Sequence, residues 1–529
     1  MNFEKISNDL LFGSGLMNYQ EKIKDFFLNS NRDILLLYML VGTGKTITSL
    51  ACAIQGLESR KFKNIVILSP KSVQHEFKAN LDLYYSFKKY NYEIGDKIKL
   101  IAYNGNNSQS KFKKLKLKND VIFIIDELHL FLRSVIKVNL LENQNKGNVG
   151  NCKVILDLIN NIKNKKVIGL TGTPSAKMSF ELVPFFNLDK TIKLPENINE
   201  FNLEYINEVD REIKNVEELK KKLKGVVIYV DKIDYQQLKV TELIEEEIEM
   251  SVQQYKQYLK DYQKETEELS FTNKKNVYGI PFGVRSTFHC KTFQDSIYVS
   301  DLRNDFNTYI DEYHCPKIIK MYDDTKHING LCAFYFRFVE FGVKTMEAKL
   351  IKEKYSLFKL NSKFNFEDKY KSKHYILFTG NESSKTRNKY KEIFNSPENK
   401  HGEFIKYIIL SPSGSVGVTL KNVKYLGIGS VEFNYSMIAQ IMGRVNRLNS
   451  HIDLPIKERL LTNKIYISVK NEKYYNKHQA KINKLCSRTT YEYENEKGLC
   501  IERIIFQDSI YDDIINVKFR KLLEEISMI

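Results

Sequence analysis

The sequence contains no tryptophan, and its seven cysteines are scattered without a CxxC pair. The missing pairs exclude a cysteine framework of the kind that stabilises small secreted domains, and they predict reduced thiols in a cytosol-like compartment. Two His–Cys neighbours, His289–Cys290 and His314–Cys315, match no familiar zinc-ligand spacing. We therefore interpret both pairs as structural residues.

No secretory or membrane-spanning segment is expected either. The first residues, MNFEKISNDLLFGSG, carry charges where a signal peptide needs an apolar core. The longest apolar run near the N-terminus, Ile34 to Val41, falls far short of the about 20 residues that a membrane span needs. This run is typical of a buried strand, and the sequence predicts a cytoplasmic protein without membrane contact.

Length and charge narrow the class of protein. A chain of 529 residues is too long for one ordinary core, so two or more domains are expected. The apolar fraction of 42% and the charged fraction of 28% are those of a globular protein. The net charge of +17 has two explanations, a polyanionic partner such as nucleic acid or a lysine-rich bias on solvated surfaces.

The order of apolar runs predicts the domain organisation. Short β-rich runs alternate with helical stretches in residues 1–195 and again in 311–470, which predicts parallel sheets covered on both faces. Residues 196–310 contain charged stretches such as EELKKKLK and ELIEEEIEM and one short strand, VVIYV, so they predict a mostly helical linker or accessory region. Residues 471–529 predict a helical tail. The fold class is therefore α/β, with two parallel-sheet lobes, a helical insertion and a C-terminal helical tail.

The segment VGTGKT follows a predicted strand and precedes an apolar helix. Backbone N–H groups of Gly42, Thr43 and Gly44 can converge there on a phosphate chain. Lys45 would neutralise the β- and γ-phosphates, and the Thr46 hydroxyl would ligate Mg²⁺. The segment predicts binding of ATP and Mg²⁺, against the alternative of a glycine-rich turn without a ligand.

A second candidate segment follows the β-branched run VIFII and reads DELH. Two adjacent carboxylates that emerge from a buried strand are costly to desolvate unless a cation and a reaction use them. Asp126 fits as the Mg²⁺ partner, and Glu127 fits as the group that orients the attacking water. A strand end that merely reaches solvent is the alternative, and the upstream GKT makes it less attractive.

The segment KVIGLTGTP places two threonines, Thr171 and Thr173, after another apolar strand. Small hydroxyl residues at this point can relay contacts between the nucleotide and neighbouring loops. An ordinary turn rich in threonine, glycine and proline would have the same composition.

The last candidate segment, AQIMGRVNRLNSH, lies in the second α/β block and contains Gln440, Arg444 and Arg447. The two arginines are three residues apart, so we expect them on one helical face, with both guanidinium groups directed at one anion. Arginines in a lobe separate from the phosphate loop suit an arginine-finger role, because they stabilise transition-state charge when the lobes close. A basic helix face on a basic protein is the competing explanation.

The ordered set GTGKT, DELH, TGTP and QIMGRVNR resembles motifs I, II, III and VI of superfamily 2 helicases of the DExH type. Gln20, in LMNYQEKIKDFF, resembles their adenine-side glutamine. CPKIIKMYDD, GLCAFYFRFVEFG and LSPSGSVGVTLKNVKYLGIGS resemble one branch more closely, the Snf2-related nucleoside triphosphatase I and early transcription factor small subunit of poxviruses and their relatives in other cytoplasmic DNA viruses and linear plasmids. The likeness runs from about Gln20 to Val469 and is thin between 190 and 310.

The resemblance implies two RecA-like lobes, with ATP bound in the first. It also assigns two sets of residues that face the nucleic-acid backbone, and such contacts would be insensitive to base sequence and weakened by salt. They are Ser69 and Lys71 in the first lobe and Ser411, Gly417 and Thr419 in the second. Phe336 stands where motif IV has a serine, so that motif receives no ligand role.

The stretch KFKKLKLK, residues 111–118, alternates lysines with apolar residues. It could line a duplex path or form an edge strand protected by lysines, and we favour the edge strand.

By resemblance, the function is that of a nucleic-acid-dependent ATPase and translocase acting on duplex DNA in viral-type cytoplasmic transcription. Candidate partners are RNA polymerase or capping enzyme, and the protein would be cytoplasmic or associated with virions. Two rivals stay open: an RNA helicase acting on transcripts, and an ATP-gated transcription initiation or termination factor. A scaffold with an inactive ATPase is disfavoured because Lys45, Asp126, Glu127 and Arg447 are all present.

Overall fold

The structure is a computed structural model, and it groups the chain into two compact units. Unit 1 comprises residues 1–233 and 512–529, and unit 2 comprises residues 234–511. The described residues are 16–40, 43–87, 97–105, 107–142, 150–175, 178–207, 209–231, 238–270, 290–299, 309–359, 373–380, 384–412, 418–447, 449–486 and 500–528.

Unit 1 is built on a parallel sheet in the order β3-β2-β4-β5-β1-β8, six strands within the described residues. A two-stranded antiparallel hairpin, β6–β7, lies apart from it. The strands are β1 (Ile34–Met39), β2 (Asn64–Ser69), β3 (Ile98–Ala102), β4 (Asn119–Ile125), β5 (Lys163–Thr171), β6 (Ile206–Asn207), β7 (Glu212–Ile213) and β8 (Val227–Val230). The central strands are apolar and buried on both faces, as helices on both sides of a parallel sheet require.

The helices of unit 1 separate these strands and pack on both faces of the sheet. They are α1 (Asn18–Asn29), α2 (Lys45–Glu58), α3 (Gln74–Phe87), α4 (Ser108–Lys114), α5 (Leu128–Glu142), α6 (Asn151–Asn160), α7 (Val183–Phe186), α8 (Ile198–Tyr205) and α9 (Val216–Leu223). Residues of α5, α6 and α9 share one core with one face of the sheet, and residues of α1, α2 and α3 share a second core with the other face.

Unit 2 is built on a second parallel sheet in the order β10-β16-β15-β11-β14-β13-β12, with β9 paired to β16. The strands are β9 (Lys239–Val240), β10 (Ile244–Glu249), β11 (Leu331–Tyr335), β12 (Ser356–Leu357), β13 (His374–Phe378), β14 (Tyr407–Leu410), β15 (Val423–Ile428) and β16 (Leu460–Val469). The helices are α10 (Val252–Ser270), α11 (Cys290–Asp295), α12 (Pro316–Thr325), α13 (Lys344–Lys352), α14 (Ser384–Phe394), α15 (Tyr435–Val445), α16 (Glu472–Cys486) and α17 (Ile501–Glu525). The predicted class, α/β with two parallel-sheet lobes, is confirmed.

The last helix, α17, contributes to both cores. Ile501, Ile505 and Phe506, at its start, belong to a core cluster of unit 2. Phe519 and Leu522, near its end, belong to a core cluster of unit 1. Residues from 512 onward are therefore part of unit 1, although most of that unit comes from the first 233 residues.

The charged stretch that begins at Glu242 was expected to be helical, and this expectation is wrong for residues 244–249. They form β10, which pairs in parallel with β16. The Arg503 guanidinium makes ion pairs with Glu245 and Glu247 of this strand. A run of glutamates prefers a helix. Here the main-chain hydrogen bonds of an edge strand, together with the neutralisation of charge by Arg503, outweigh that preference.

The expected edge strand at residues 111–118 is also wrong. Residues 108–114 form helix α4, and the four residues after it are not in a strand. Phe112 is buried in the core of unit 1, and Leu115 packs against the same core. These two residues are three apart and share a helical face, so the apolar positions fit a helix.

The compact units also group residues differently from the four predicted segments. β8 pairs with β1, which joins residues 196–233 to unit 1. β10 pairs with β16, and α10 packs in a core of unit 2, which joins residues from 234 onward to unit 2. The division into four domains that the sequence suggested therefore stays a prediction. Within the described part of the chain, no helix combines the length and the apolar character needed to cross a membrane.

Candidate nucleotide-binding site

The predicted phosphate loop follows the carboxyl end of β1 and leads into α2. Gly44 has φ +79°, in the left-handed region that favours glycine, and α2 begins at the next residue. The Lys45 ammonium donates to the Met39 carbonyl at 2.9 Å, so its side chain folds back over the loop. The N-terminus of a helix of this length offers unpaired backbone N–H groups to an anion. Gly42 lies outside the described residues, and its phosphate contact stays a prediction.

Two side chains of α1 pack against this loop. Gln20 is only 2% exposed and donates from Nε2 to Thr48 Oγ1 at 3.1 Å. A Cβ atom at position 44 would lie 2.7 Å from the same nitrogen, so Gly44 leaves the room that Gln20 needs. Tyr19 donates its hydroxyl to the Thr43 carbonyl at 2.6 Å. The structure thus brings Gln20, Thr43 and Gly44 together, and the adenine contact of Gln20 stays a prediction.

Asp126 directly follows β4 and is almost completely buried. Burial is the largest influence on its carboxyl group and, with the neighbouring Glu127, raises the pKa of Asp126 to about 7, while the Lys45 ammonium opposes this shift. A buried carboxylate of this kind is stabilised by a bound cation. Mg²⁺ prefers oxygen ligands and uses one or two carboxylates with phosphate oxygens, so the donor set of Asp126 and the half-buried Thr46 hydroxyl fits it.

Asp126→Asn is expected to stabilise the protein against heat when nucleotide and divalent cations are removed. The folded-state pKa lies above the ordinary value of 3.8, so the stability that Asp126 contributes is lost as pH rises through about 7. The gain of the variant over the parent should therefore be larger at about pH 8 than at about pH 5. Thermal melts in EDTA at both pH values measure it, with Asp157→Asn on the surface of α6 as the control. A gain independent of pH would contradict the expectation.

Polar contacts connect the end of β4 with the end of β5. His129 is buried, and its Nδ1 lies 3.0 Å from Thr171 Oγ1 and 3.5 Å from Glu127 Oε2. The backbone N–H of Thr173 donates to Thr171 Oγ1 at 3.0 Å. Burial lowers the pKa of His129 to about 4, so the ring is neutral near pH 7. Thr171 and Thr173 are therefore connected through His129 to the carboxylate Glu127, the arrangement that a coupling role needs.

Two residues at this site were not among the predicted site residues. His129 had a local signal, because it is a polar residue two positions after Glu127 in an otherwise apolar stretch. Arg520 had none, since 345 positions separate it from its contact, the Ser175 carbonyl, to which it donates at 3.3 Å. Asp513 holds the same guanidinium with bonds of 3.1 and 2.5 Å. The end of α17 thus contacts the residue that follows TGTP.

Ser69 and Lys71, the predicted backbone-contacting pair of unit 1, differ in exposure. Ser69 ends β2 and is fully buried, and its hydroxyl has no hydrogen-bond partner among the described residues. Lys71 is exposed, and its backbone N–H donates to Asn104 Oδ1 at 3.0 Å. Only Lys71 offers its side chain to a ligand in this state.

The expectation that Arg444 and Arg447 share a helical face is wrong. Helix α15 ends at Val445, and Asn446 leaves the helical conformation with φ −116° and ψ 68°. Beyond this break, Arg447 Nη1 donates to Thr419 Oγ1 at 2.5 Å. The structure therefore joins Arg447 to Thr419, a predicted nucleic-acid contact, while Arg444 stays on the helix.

The other predicted residues of unit 2 lie on α15, directly after β14, or outside the described residues. Gln440 and Arg444 are both half-buried on α15 and, being four apart, share one face. Ser411 is buried, and its backbone N–H donates to the Phe378 carbonyl at 3.1 Å. Gly417 lies outside the described residues.

Comparison with known proteins agrees with this geometry. Residues 14–176 match the family described as type III restriction enzyme, res subunit, a stretch that contains the GTGKT, DELH and TGTP segments. The comparisons confirm the predicted resemblance to superfamily 2 helicase-type proteins. The similarity to helicase-type proteins and nucleoside triphosphatases supports ATP hydrolase activity for this chain.

Viral proteins are among the similar proteins. A termination factor NPH-I homolog of African swine fever virus is 27% identical over 504 residues, which cover 83% of this chain and 70% of the relative. The nucleoside triphosphatase I of Choristoneura fumiferana entomopoxvirus is 26% identical over 502 residues, covering 87% of this chain and 74% of the relative. Among solved structures, the Sulfolobus solfataricus SWI2/SNF2 ATPase core in complex with dsDNA is 16% identical, with a TM-score of 0.35, and covers 96% of this chain and 97% of that one.

Proposed function

We propose that this protein is an ATP- and Mg²⁺-dependent translocase that moves along duplex DNA during viral-type cytoplasmic transcription. The observation that supports it best is the pairing of a phosphate loop after β1 with a buried carboxylate after β4 of the same parallel sheet, with Lys45 close enough to influence the pKa of Asp126. Ligands of α/β sheets bind at this edge, where the strands' carboxyl ends meet.

Each predicted residue has a role in this proposal. Lys45 neutralises the phosphates, Thr46 and Asp126 hold Mg²⁺, and Glu127 orients the attacking water. Mg²⁺, when bound, offsets charge on the phosphates. The remaining roles are adenine recognition by Gln20, and stabilisation of transition-state charge by Gln440, Arg444 and Arg447.

Translocation requires that the bound nucleotide change the protein's affinity for nucleic acid. His129 and Thr171 connect Glu127 with the turn after β5, so loss of the γ-phosphate can change that turn. Lys71 in unit 1, with Ser411, Gly417 and Thr419 in unit 2, would hold the backbone. Arg447 is bonded to Thr419, which joins a transition-state arginine to a nucleic-acid contact.

The relatives' names favour a role in transcription. One relative is called a termination factor homolog, and another is called a nucleoside triphosphatase. RNA polymerase or capping enzyme are the proposed partners, and the proposed location is the cytoplasm or the virion. An ATP-gated termination factor is the second candidate, since such a factor needs nucleotide-dependent affinity but no movement.

The test is the ATPase rate of the full chain with duplex DNA, single-stranded DNA and RNA at several salt concentrations, with Lys45→Ala as the background. Duplex DNA should stimulate most, and salt should weaken the stimulation. Stimulation by RNA alone would support the RNA helicase and overturn the DNA proposal. If a non-hydrolysable ATP analogue supports displacement of a blocking oligonucleotide as well as ATP does, the ATP-gated factor replaces the translocase.

A further inference from the structure

A cavity of about 550 Å³ opens at the start of β5, between the end of α6 and the segment 187–196. Three exposed lysines line it, Lys163, Lys190 and Lys193, and Glu196 is the only acidic residue in its lining. The buried side chains of Ile162, Ile192 and Leu194 form its apolar part. A cavity of this size is within the about 300–1,000 Å³ of ligand pockets, and its charge selects an anion.

The wall of this cavity is held in place by hydrogen bonds. Asn187 Nδ2 donates to the Leu194 carbonyl at 2.9 Å, and the Leu194 N–H donates back to Asn187 Oδ1 at 3.0 Å. The buried Asp189 accepts from both the backbone N–H and the hydroxyl of Thr191, at 2.9 and 2.6 Å. Arg32 donates to that same hydroxyl at 2.5 Å. Lys190 and Lys193 therefore lie on a segment whose backbone is fixed by hydrogen bonds, so less conformational entropy of the protein is lost when a ligand binds.

The cavity belongs to a longer basic edge. Every strand of the parallel sheet of unit 1, among the described residues, has a lysine or arginine within three residues of its first residue. Because the strands are parallel, all these residues lie at the same edge. They are Arg32, Lys63, Lys97, Lys118, Lys163 and Lys224. Two of these cations are already partly neutralised, since Lys63 pairs with Asp120 at 2.5 Å and Arg32 lies 3.9 Å from the Asp189 carboxylate.

This edge is distinct from the nucleotide site. β5 runs from Lys163 at the cavity to Thr171 at the nucleotide site. At about 3.3 Å per residue, eight steps along the strand separate the two by about 26 Å. A ligand in the cavity therefore cannot be the nucleotide that the phosphate loop holds.

We propose that this cavity and basic edge are a second nucleic-acid site, which takes the phosphodiester backbone. The proposal rests on the proposed function, because it adds a contact to a nucleic-acid-dependent ATPase. Neighbouring strands, about 4.8 Å apart, place these cations in a row that can lie along a linear array of phosphates. The cavity at Lys163 receives one phosphate with its sugar, and the amides of Asn160 and Asn161 in its lining offer hydrogen-bond donors.

The test compares two triple variants of the full chain. In the site variant, Lys163, Lys190 and Lys193 become glutamate. In the control, Lys354, Lys473 and Lys477, three exposed lysines of unit 2, become glutamate, so both variants have the same net charge. Dissociation constants for duplex DNA, single-stranded DNA and RNA are measured against salt concentration. The salt slope of the site variant should fall by about one, because the cavity receives one phosphate.

The nucleic acid whose affinity falls in the site variant, and not in the control, is the one bound at this edge. ATPase at saturating nucleic acid should stay unchanged in the site variant, because the nucleotide site is remote. Equal losses in both variants, or unchanged affinity and slope in the site variant for all three nucleic acids, would overturn the proposal. Stimulated ATPase in the parent protein would show in either case that the proposed function stands.

Discussion

Glu127→Gln is expected to slow ATP hydrolysis by about 10²- to 10⁴-fold, the usual contribution of a group that acts on a proton or orients the attacking water. Glu127 has φ +48°, a left-handed conformation that a non-glycine residue rarely adopts, and its carboxylate is one-third exposed. The Glu127 side chain is thus more accessible than that of Asp126, which is almost completely buried. Nucleotide binding should be retained, because Lys45, Thr46 and Asp126 are unchanged.

Single-turnover hydrolysis and nucleotide-binding titrations measure these two effects separately. The matched control is Glu76→Gln, since Glu76 is another carboxylate that influences the pKa of Asp126 without following β4. The control should hydrolyse ATP within a few-fold of the parent. A Glu127→Gln protein with parental single-turnover rates would remove Glu127 from the mechanism and leave the ATPase assignment intact.

Lys317→Ala is expected to destabilise unit 2 by about 3–5 kcal/mol, the cost of leaving one partner of a buried ion pair uncompensated. The ammonium of Lys317 bonds both carboxylate oxygens of Glu502, at 2.6 and 2.5 Å, and both side chains are 0% exposed. Glu502 also accepts from the backbone N–H of Ser468 at 2.7 Å. Burial lowers the pKa of Lys317 and raises that of Glu502, so desolvation opposes both charges.

Denaturant unfolding of the full chain measures this effect in the transition assigned to unit 2. Lys320→Ala is the control, because Lys320 lies one turn along the same helix, α12, and its ion pair with Asp324 is partly exposed. Such a pair contributes about 0–1 kcal/mol. The double variant Lys317→Met with Glu502→Leu should recover much of the loss, since it leaves no buried charge. A loss for Lys317→Ala no larger than that of Lys320→Ala would refute this account.

The sequence predicted the parts that local chemistry decides. The run VIFII predicted a buried strand with Asp126 at its end, and GKT before an apolar helix predicted a helix N-terminus with a lysine. Residues that are neighbours in the sequence decide the structure of these segments. The central strands of both sheets followed from the same reasoning.

The parts that depend on distant partners could not be predicted. The glutamate run 244–249 forms a strand because its backbone pairs with β16, which lies more than 200 residues later in the chain. Arg447 leaves the helical face because α15 stops at Val445 and Thr419 accepts its hydrogen bond. The contact of Arg520 with Ser175 has no sequence signal at all, since neither residue indicates the other.

The return of the chain to unit 1 after residue 511 has a consequence for biosynthesis. Phe519 and Leu523 are almost fully buried in the same cluster as Leu36 of β1, so the ribosome must make all of unit 2 before that cluster can be filled. At about 5–20 residues per second, roughly a quarter of a minute to a minute passes between the emergence of β8 and that of these side chains. During that interval the apolar residues of this cluster lack the partners that α17 supplies in the folded protein.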